Sequence, residues 1–329
     1  MSPTIGVRAA GAPVRTPDWL SGHVWTVGLA ALAQLWPGAN PPGEHFETVV
    51  NDAAIGPVRL TGILSEHPDS ETIVVIVHGL SGSARSPYCT RAARAVAAAG
   101  YSSLRLSLRG ADGSGEDLFH GGTTEDIGAA LAAPALAKYR RVLLLGYSAG
   151  GHIALRAAVD PVDARLRAVC AVCPPLDLRA STAAFDQPER SYYRRRIFRS
   201  LNRAYTAMAA RGRALVPADV VFRAESCAER DSLTVVPRFG FRNTADYHER
   251  ESVAHRLWRL EIPSLLVAAR QDPIIPAETL LPAISTASPA LGVAWAVRGG
   301  HVYFPGDFDL GEAGPLGLES QVIQWLARQ

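Results

Sequence analysis

The chain has 329 residues, 48% of them hydrophobic and 19% charged. That is enough apolar material for a large core, and it excludes a disordered or fibrous protein. Its 33 basic and 31 acidic residues leave a formal charge of +2, far from the basic excess that nucleic-acid binding draws on. Lys138 is the only lysine, and the arginines are scattered along the chain.

Residues 1–44 are rich in Pro, Gly and Ala and read as an N-terminal arm. Trp19 to Trp36 contains no Asp, Glu, Lys or Arg, but the run is short for a membrane span and is followed by Pro37. It also lacks the basic lead and small-residue cleavage site of a signal peptide. The expectation is an apolar arm packed on a soluble, cytoplasmic protein, with membrane association through 19–36 as the alternative.

From residue 45 the sequence reads as one domain. His45–Val50 and Val58–Leu64 suggest an opening antiparallel pair. Thr72–His78 is a fully apolar run, as a strand covered on both faces should be. A helix over Cys89–Ala99 ends at Gly100, and Tyr101–Leu108 is the next strand. Thr123 and Asp126 have the spacing of a capping box and predict a helix to about Lys138. Arg141–Tyr147 is a strand with a helix from Ala149, and Leu166–Cys173 is a strand again. Residues 178–250 are polar and Arg-rich and read as an insertion above the strand ends. Ser264–Ala269 and Gly292–Val297 resume the strands, and Ser320–Ala327 closes as a helix. Strand–helix alternation on both sides of the insertion predicts a mostly parallel sheet with helices on both faces.

Gly146-Tyr147-Ser148-Ala149-Gly150 is a G-x-S-x-G placed between a strand and a helix. That context makes Ser148 a candidate nucleophile on a sharp turn, with the Ala149 N–H at the helix start as an oxyanion donor. A serine hydroxyl needs a base held by an acid. Of the later histidines, His301 follows the last strand behind Gly299 and Gly300, whereas His255 falls in a helix-like segment of surface character. Asp272, in an Asp-Pro turn after the penultimate strand, is the candidate acid, with Asp177 as the alternative. The loop after Thr72–His78 runs His78-Gly79-Leu80-Ser81-Gly82, small enough for its backbone to approach a reacting carbonyl. Leu80 N–H is the second candidate oxyanion donor, with His78 orienting the loop. Cys170 and Cys173 form a C-x-x-C inside an apolar strand, with no second pair or nearby His to complete a zinc site. They read as small core residues, and with Cys89 and Cys227 they make no disulfide framework.

Together these pieces resemble the YheT-like branch of the α/β-hydrolase superfamily. Gly22-His23-Val24-Trp25-Thr26 is similar to its G-H-x-Q-T signature, His78-Gly79-Leu80 to its H-G-L, and Ser86-Pro87-Tyr88 to its S-P-Y. Leu108-Arg109-Gly110 is similar to its F-R-G, and His120, Gly122, Thr124 and Asp126 to its H-x-G-x-T-x-D. Asp272-Pro273 and Gly299-Gly300-His301-Val302 stand where it has D-P and G-G-H-V/I. Trp25 in place of Gln, and His152 after the elbow in place of Asn, are departures. The resemblance implies an α/β-hydrolase fold with a cap insertion and a carboxyl-ester hydrolase acting on short-chain or lipid-like acyl esters. Acyl transfer, thioester or amide hydrolysis on the same triad, and a non-catalytic binder, are the alternatives. Arg109 and the His120–Asp126 run read as a structural network around a helix N-cap. Tyr192 to Arg199, basic with aromatics, reads as the solvated face of a cap helix, with peripheral membrane contact as the less favoured alternative. No phosphate loop, dinucleotide fingerprint or metal-ligand spacing is present, so no cofactor or metal is implied.

Overall fold

The structure is a computed structural model and describes residues 4–5, 8–9, 22–29, 31–32 and 40–329. Two short strands, β1 (Thr4–Ile5) and β2 (Arg8–Ala9), come first. β3 (Glu44–Asp52) and β4 (Gly56–Ser65) pair antiparallel, from Glu44 opposite Leu64 to Asp52 opposite Gly56. The turn between them is tight because Asp52 Oδ1 accepts the Ala54 and Ile55 N–H groups and Gly56 takes φ +77°. β5 (Thr72–Val77), β6 (Ser102–Ser107), β7 (Arg141–Tyr147), β8 (Leu166–Val172), β9 (Ser264–Ala269) and β10 (Leu291–Ala296) supply the rest of the main sheet. Its spatial order is β1-β10-β9-β8-β7-β5-β6-β4-β3, and β4 alone runs against its neighbours. A last short strand, β11 (Phe308–Asp309), pairs with β2.

Helices α1 (Pro87–Ala98), α2 (Glu125–Leu131) and α3 (Ala149–Val159) follow β5, β6 and β7. Between β8 and β9 the chain runs through α4 (Leu178–Phe185), α5 (Ser191–Ala210), α6 (Ala218–Phe222), α7 (Cys227–Leu233), α8 (Val235–Phe239) and α9 (Thr244–Glu251). Helices α10 (Leu281–Ser285) and α11 (Leu318–Arg328) complete the chain. The sheet separates two cores, and β5 feeds both by alternation. Ile73, Val75 and Val77 pack with Leu144, Ile153 and Ile127. Val74 and Ile76 pack with Val96, Val322 and Trp325 on the other face. All six residues of β5 are buried, as the continuous apolar run requires.

Two local expectations are corrected. The helix expected to reach Lys138 stops at Leu131, and Pro134 starts a separate turn, Pro134–Leu136, because proline disfavours helical geometry in the residue before it. The capping box does not form: Thr123 Oγ1 instead accepts the His120 N–H, and the Asp126 carboxylate is taken by Arg109.

That second contact belongs to a buried network. Arg109 meets Asp126 through Nε and Nη2 (2.9 and 2.6 Å), Asp52 at 2.9 Å and Asp117 at 3.4 Å. Arg238, on α8 of the insertion, grips Asp117 with two bonds of 2.8 and 2.7 Å and reaches Asp52 at 2.9 Å. The insertion is thus tied to the sheet by paired buried charges. Losing one partner would leave others uncompensated, at a cost of about 3–5 kcal/mol.

Of the 19–36 segment, 22–29 and 31–32 lie within the described residues, and the expectations for the remainder fall outside them. No helix among the described residues is long and apolar enough to cross a membrane.

Candidate active site

Strand β7 runs straight into α3, and the turn between them can only be made by an unusual backbone. Ser148 takes φ +52° and ψ −121°. Small neighbours allow it: a Cβ on Gly146 would collide with Gly150 O, and one on Gly150 with the carbonyls of Val77 and His78. Four non-glycine residues have positive φ among the described residues: Ser81, Ser148, Cys173 and Val302. All four lie beyond strand ends on loops around Ser148, and strain of this kind persists only where surrounding structure enforces it.

The three residues expected from distant parts of the chain come together. His301 Nε2 lies 2.9 Å from Ser148 Oγ, and His301 Nδ1 lies 2.9 Å from Asp272 Oδ2. Asp272 is oriented from its own turn, where Oδ1 accepts the Ile274 and Ile275 N–H groups at 2.8 and 3.0 Å. The alternative acid, Asp177, caps α4 by accepting the Ala180 N–H. His255 is exposed and has no part in this hydrogen-bonded line. A Ser–His–Asp chain in this geometry can raise the nucleophilicity of the serine and hold the imidazole in one tautomer.

The loop expected to bring a second donor packs against the turn at Ser148. A Cβ on Gly79 would lie 3.0 Å from Ser148 Cβ. The loop is held by side chains: Tyr88 Oη accepts the Gly79 N–H at 3.1 Å, and Ser86 Oγ accepts the Ser83 N–H at 3.0 Å. Among the described residues no protein group accepts the Leu80 or Ala149 N–H, and both residues line the same cavity as Ser148.

Two contributors carried no sequence signal for their role. Thr26 lies 275 positions from His301, yet its Oγ1 accepts the His301 N–H at 2.8 Å and donates to Gly22 O at 2.7 Å. The arm therefore seats the histidine loop, and Gly300 leaves it room, because a Cβ there would strike Thr26 Oγ1. The matched Gly-His-x-x-Thr piece pointed to these residues but not to what they hold. Cys173 is the second. It falls just past β8, buried, with Sγ 3.7 Å from Gly300 O. Its sulfur, an Asp272 oxygen and a His301 nitrogen lie within 4.8 Å of one another, the single such grouping of metal-ligating atoms among the described residues. Burial, and next the Asp272 charge, push its thiol well above the usual range.

Three further histidines are held by hydrogen bonds within the fold. His152, four residues after Ser148, places Nδ1 2.6 Å from Pro175 O and Nε2 2.8 Å from Glu251 O, bridging α3 to the end of the insertion. Burial lowers its pKa to about 4 although both carbonyls pull the other way. His78 Nε2 accepts the Leu108 N–H at 3.1 Å, which leaves Nδ1 to donate to Gly79 O at 2.8 Å. A second proton would break the first bond and bury a charge, and burial holds the His78 pKa at about 4. His120 is enclosed by Phe239, Phe241 and Tyr247, with Nδ1 accepting the Gly122 N–H. Burial, then the Arg109 charge, take its pKa to about 3.

These values lie below the ~6.5 of an unfolded histidine, so between them the unfolded chain binds more protons and acid favours unfolding. Melting temperature should fall from about pH 6.5 towards pH 4, and a His78→Asn variant should show a shallower fall than wild type. Identical slopes in the two proteins would refute this assignment.

Ser148 and His301 open on a cavity of about 690 Å³. Its walls combine apolar side chains, Phe119, Leu178, Ile197, Phe198 and Ile275 among them, with arginines of α5.

The profile described as "Alpha/beta hydrolase family" matches residues 74–308. A curated relative named "Putative esterase YheT", from Escherichia coli (strain K12), is 27% identical over 271 residues, covering 77% of this chain and 76% of its own. Among solved structures, an esterase of Pyrococcus furiosus aligns with a TM-score of 0.51 at 17% identity, over 79% of this chain and 85% of its own. The hydrolase GrgF of Penicillium sp. sh18 aligns at 0.52 and 17% identity, over 78% and 91%. At such identities the structures speak for the fold.

Proposed function

The chain belongs to the alpha/beta hydrolase family, and from that premise we propose that it is a serine carboxylesterase. The observation that carries this reading is the hydrogen-bonded line Asp272–His301–Ser148, each contact 2.9 Å, opening on one cavity. Ser148 Oγ attacks the ester carbonyl while His301 Nε2 takes its proton. The Leu80 and Ala149 N–H groups bind the oxyanion as the tetrahedral intermediate forms. His301 then gives the proton to the leaving alcohol, and Asp272 stabilises the imidazolium and fixes its tautomer. Water activated by His301 releases the acid from the acyl-enzyme. The apolar walls support an acyl chain as the part of the substrate that is bound there, and the esterase-named relative supports the ester as the bond that is cut.

The test is a p-nitrophenyl ester series from acetyl to palmitoyl, run beside labelling with a fluorophosphonate and peptide mass spectrometry. Turnover with a chain-length optimum, and a phosphonyl adduct on Ser148, are expected. Folded protein that cleaves no ester and takes no label at Ser148 would overturn the reading.

A further inference from the structure

Three of the arginines that look scattered along the sequence fall together on one helix. Helix α5 carries Arg196, Arg199 and Arg203 at i, i+3 and i+7, a spacing that lines one stripe of a helix. All three border the cavity that holds Ser148 and His301. Among the described residues none of their side chains is paired with a carboxylate or hydrogen-bonded, although many arginines of this chain are. The acids that share the cavity are already engaged: Asp117 by Arg109 and Arg238, and Asp231 by His248 at 3.3 Å. Arg230, which also faces the cavity, is bonded to Asn202 Oδ1 at 2.7 Å. The helix is fixed relative to the reacting centre, since Ser200 Oγ bonds Ser81 O beside the Leu80 loop. An apolar cavity with a serine at its base thus has three unneutralised guanidinium groups along one border. Guanidinium groups bind phosphate and carboxylate in paired, directional hydrogen bonds.

We propose that this stripe is a subsite for an anionic group, and that the natural acyl ester carries a phosphate or a carboxylate in addition to the ester that is cleaved. This rests on the esterase reading and narrows its substrate class. These three differ from Arg109 and Arg238, whose charge is spent on buried carboxylates, in that they border the cavity with no carboxylate of the protein to neutralise them.

The inference is tested by binding, so that its failure differs from failure of the esterase reading. Octyl phosphate, octanoate and uncharged octyl glucoside are titrated into wild type and into the R196Q/R199Q/R203Q variant below their micellar concentrations. Thermal melts confirm that the variant is folded. Wild type should bind octyl phosphate or octanoate about tenfold tighter than octyl glucoside, and the triple variant should lose that difference. The two anionic probes separate a phosphate-bearing from a carboxylate-bearing substrate. Equal affinity for charged and neutral probes, or a preference that survives the triple substitution, would overturn the proposal. So would wild type that ignores the soluble anions but binds vesicles containing anionic lipid in a stripe-dependent way, which would make α5 a membrane-docking face. Turnover of a neutral p-nitrophenyl ester by wild type reports on the esterase reading separately.

Discussion

Replacing Ser148 by alanine should lower kcat on p-nitrophenyl esters by about 10⁴–10⁶-fold while leaving the fold intact. The hydroxyl is the only atom removed, and the backbone at φ +52° is equally demanding for Ser and Ala. Gly79 and Gly150 keep the space around the turn, so melting temperature should stay close to wild type. The residual rate would come from His301 acting on water, with the Leu80 and Ala149 N–H groups still in place to bind an oxyanion. Activity within tenfold of wild type would mean that Ser148 is not the nucleophile, and the proposed acyl-enzyme would be wrong. Retention of fluorophosphonate labelling by the variant would carry the same meaning.

The Asp272→Asn variant should lose about 10⁴-fold in kcat with little change in KM. The amide oxygen can still accept the Ile274 and Ile275 N–H groups that orient Asp272 now. The amide nitrogen would then face His301 Nδ1, a position that requires an acceptor in the native protein. The ring would respond by moving its proton to Nε2, and that nitrogen could no longer take the Ser148 proton. The alternative acid cannot substitute, because Asp177 is occupied at the start of α4. A loss smaller than tenfold would show that other contacts hold the tautomer. The Thr26 bond to the His301 backbone and the neighbouring Cys173 would then be the groups to vary.

How far the sequence reveals this site follows from the range of each interaction. Ser148 is legible because its whole signal is local. The strand, the two small residues and the helix all lie within a few positions, and the steric reason for Gly146 and Gly150 is a clash with backbone close in sequence or on the adjoining strand. Asp272 and His301 are legible as candidates because each follows a buried strand with a turn-forming residue beside it, Pro273 in one case and Gly300 in the other. Thr26 is not legible in its role. Nothing local to an Ala- and Gly-rich arm says that its hydroxyl will meet a backbone amide 275 positions away. Cys173 illustrates a second limit. Periodicity assigns it to a buried strand, yet β8 ends one residue earlier, and φ +49° puts its sulfur beside Asp272 and Gly300. Thr123 and Asp126 show a third. Their spacing suits a capping box, but a buried guanidinium competes for the carboxylate and outweighs a local cap worth about 1 kcal/mol.

The sequence by itself determined the strand–helix alternation, the elbow at Ser148 and the order of the residues that meet there, since each depends on neighbours a few positions away and on burial periodicity. Tertiary structure decided which acid pairs with His301, what seats the His301 loop, how Arg109 and Arg238 bind the insertion to the sheet, and which arginines are left without a carboxylate. These are contacts between segments tens to hundreds of residues apart. They are set by how packed elements share space and charge, and no local pattern of residue types encodes that.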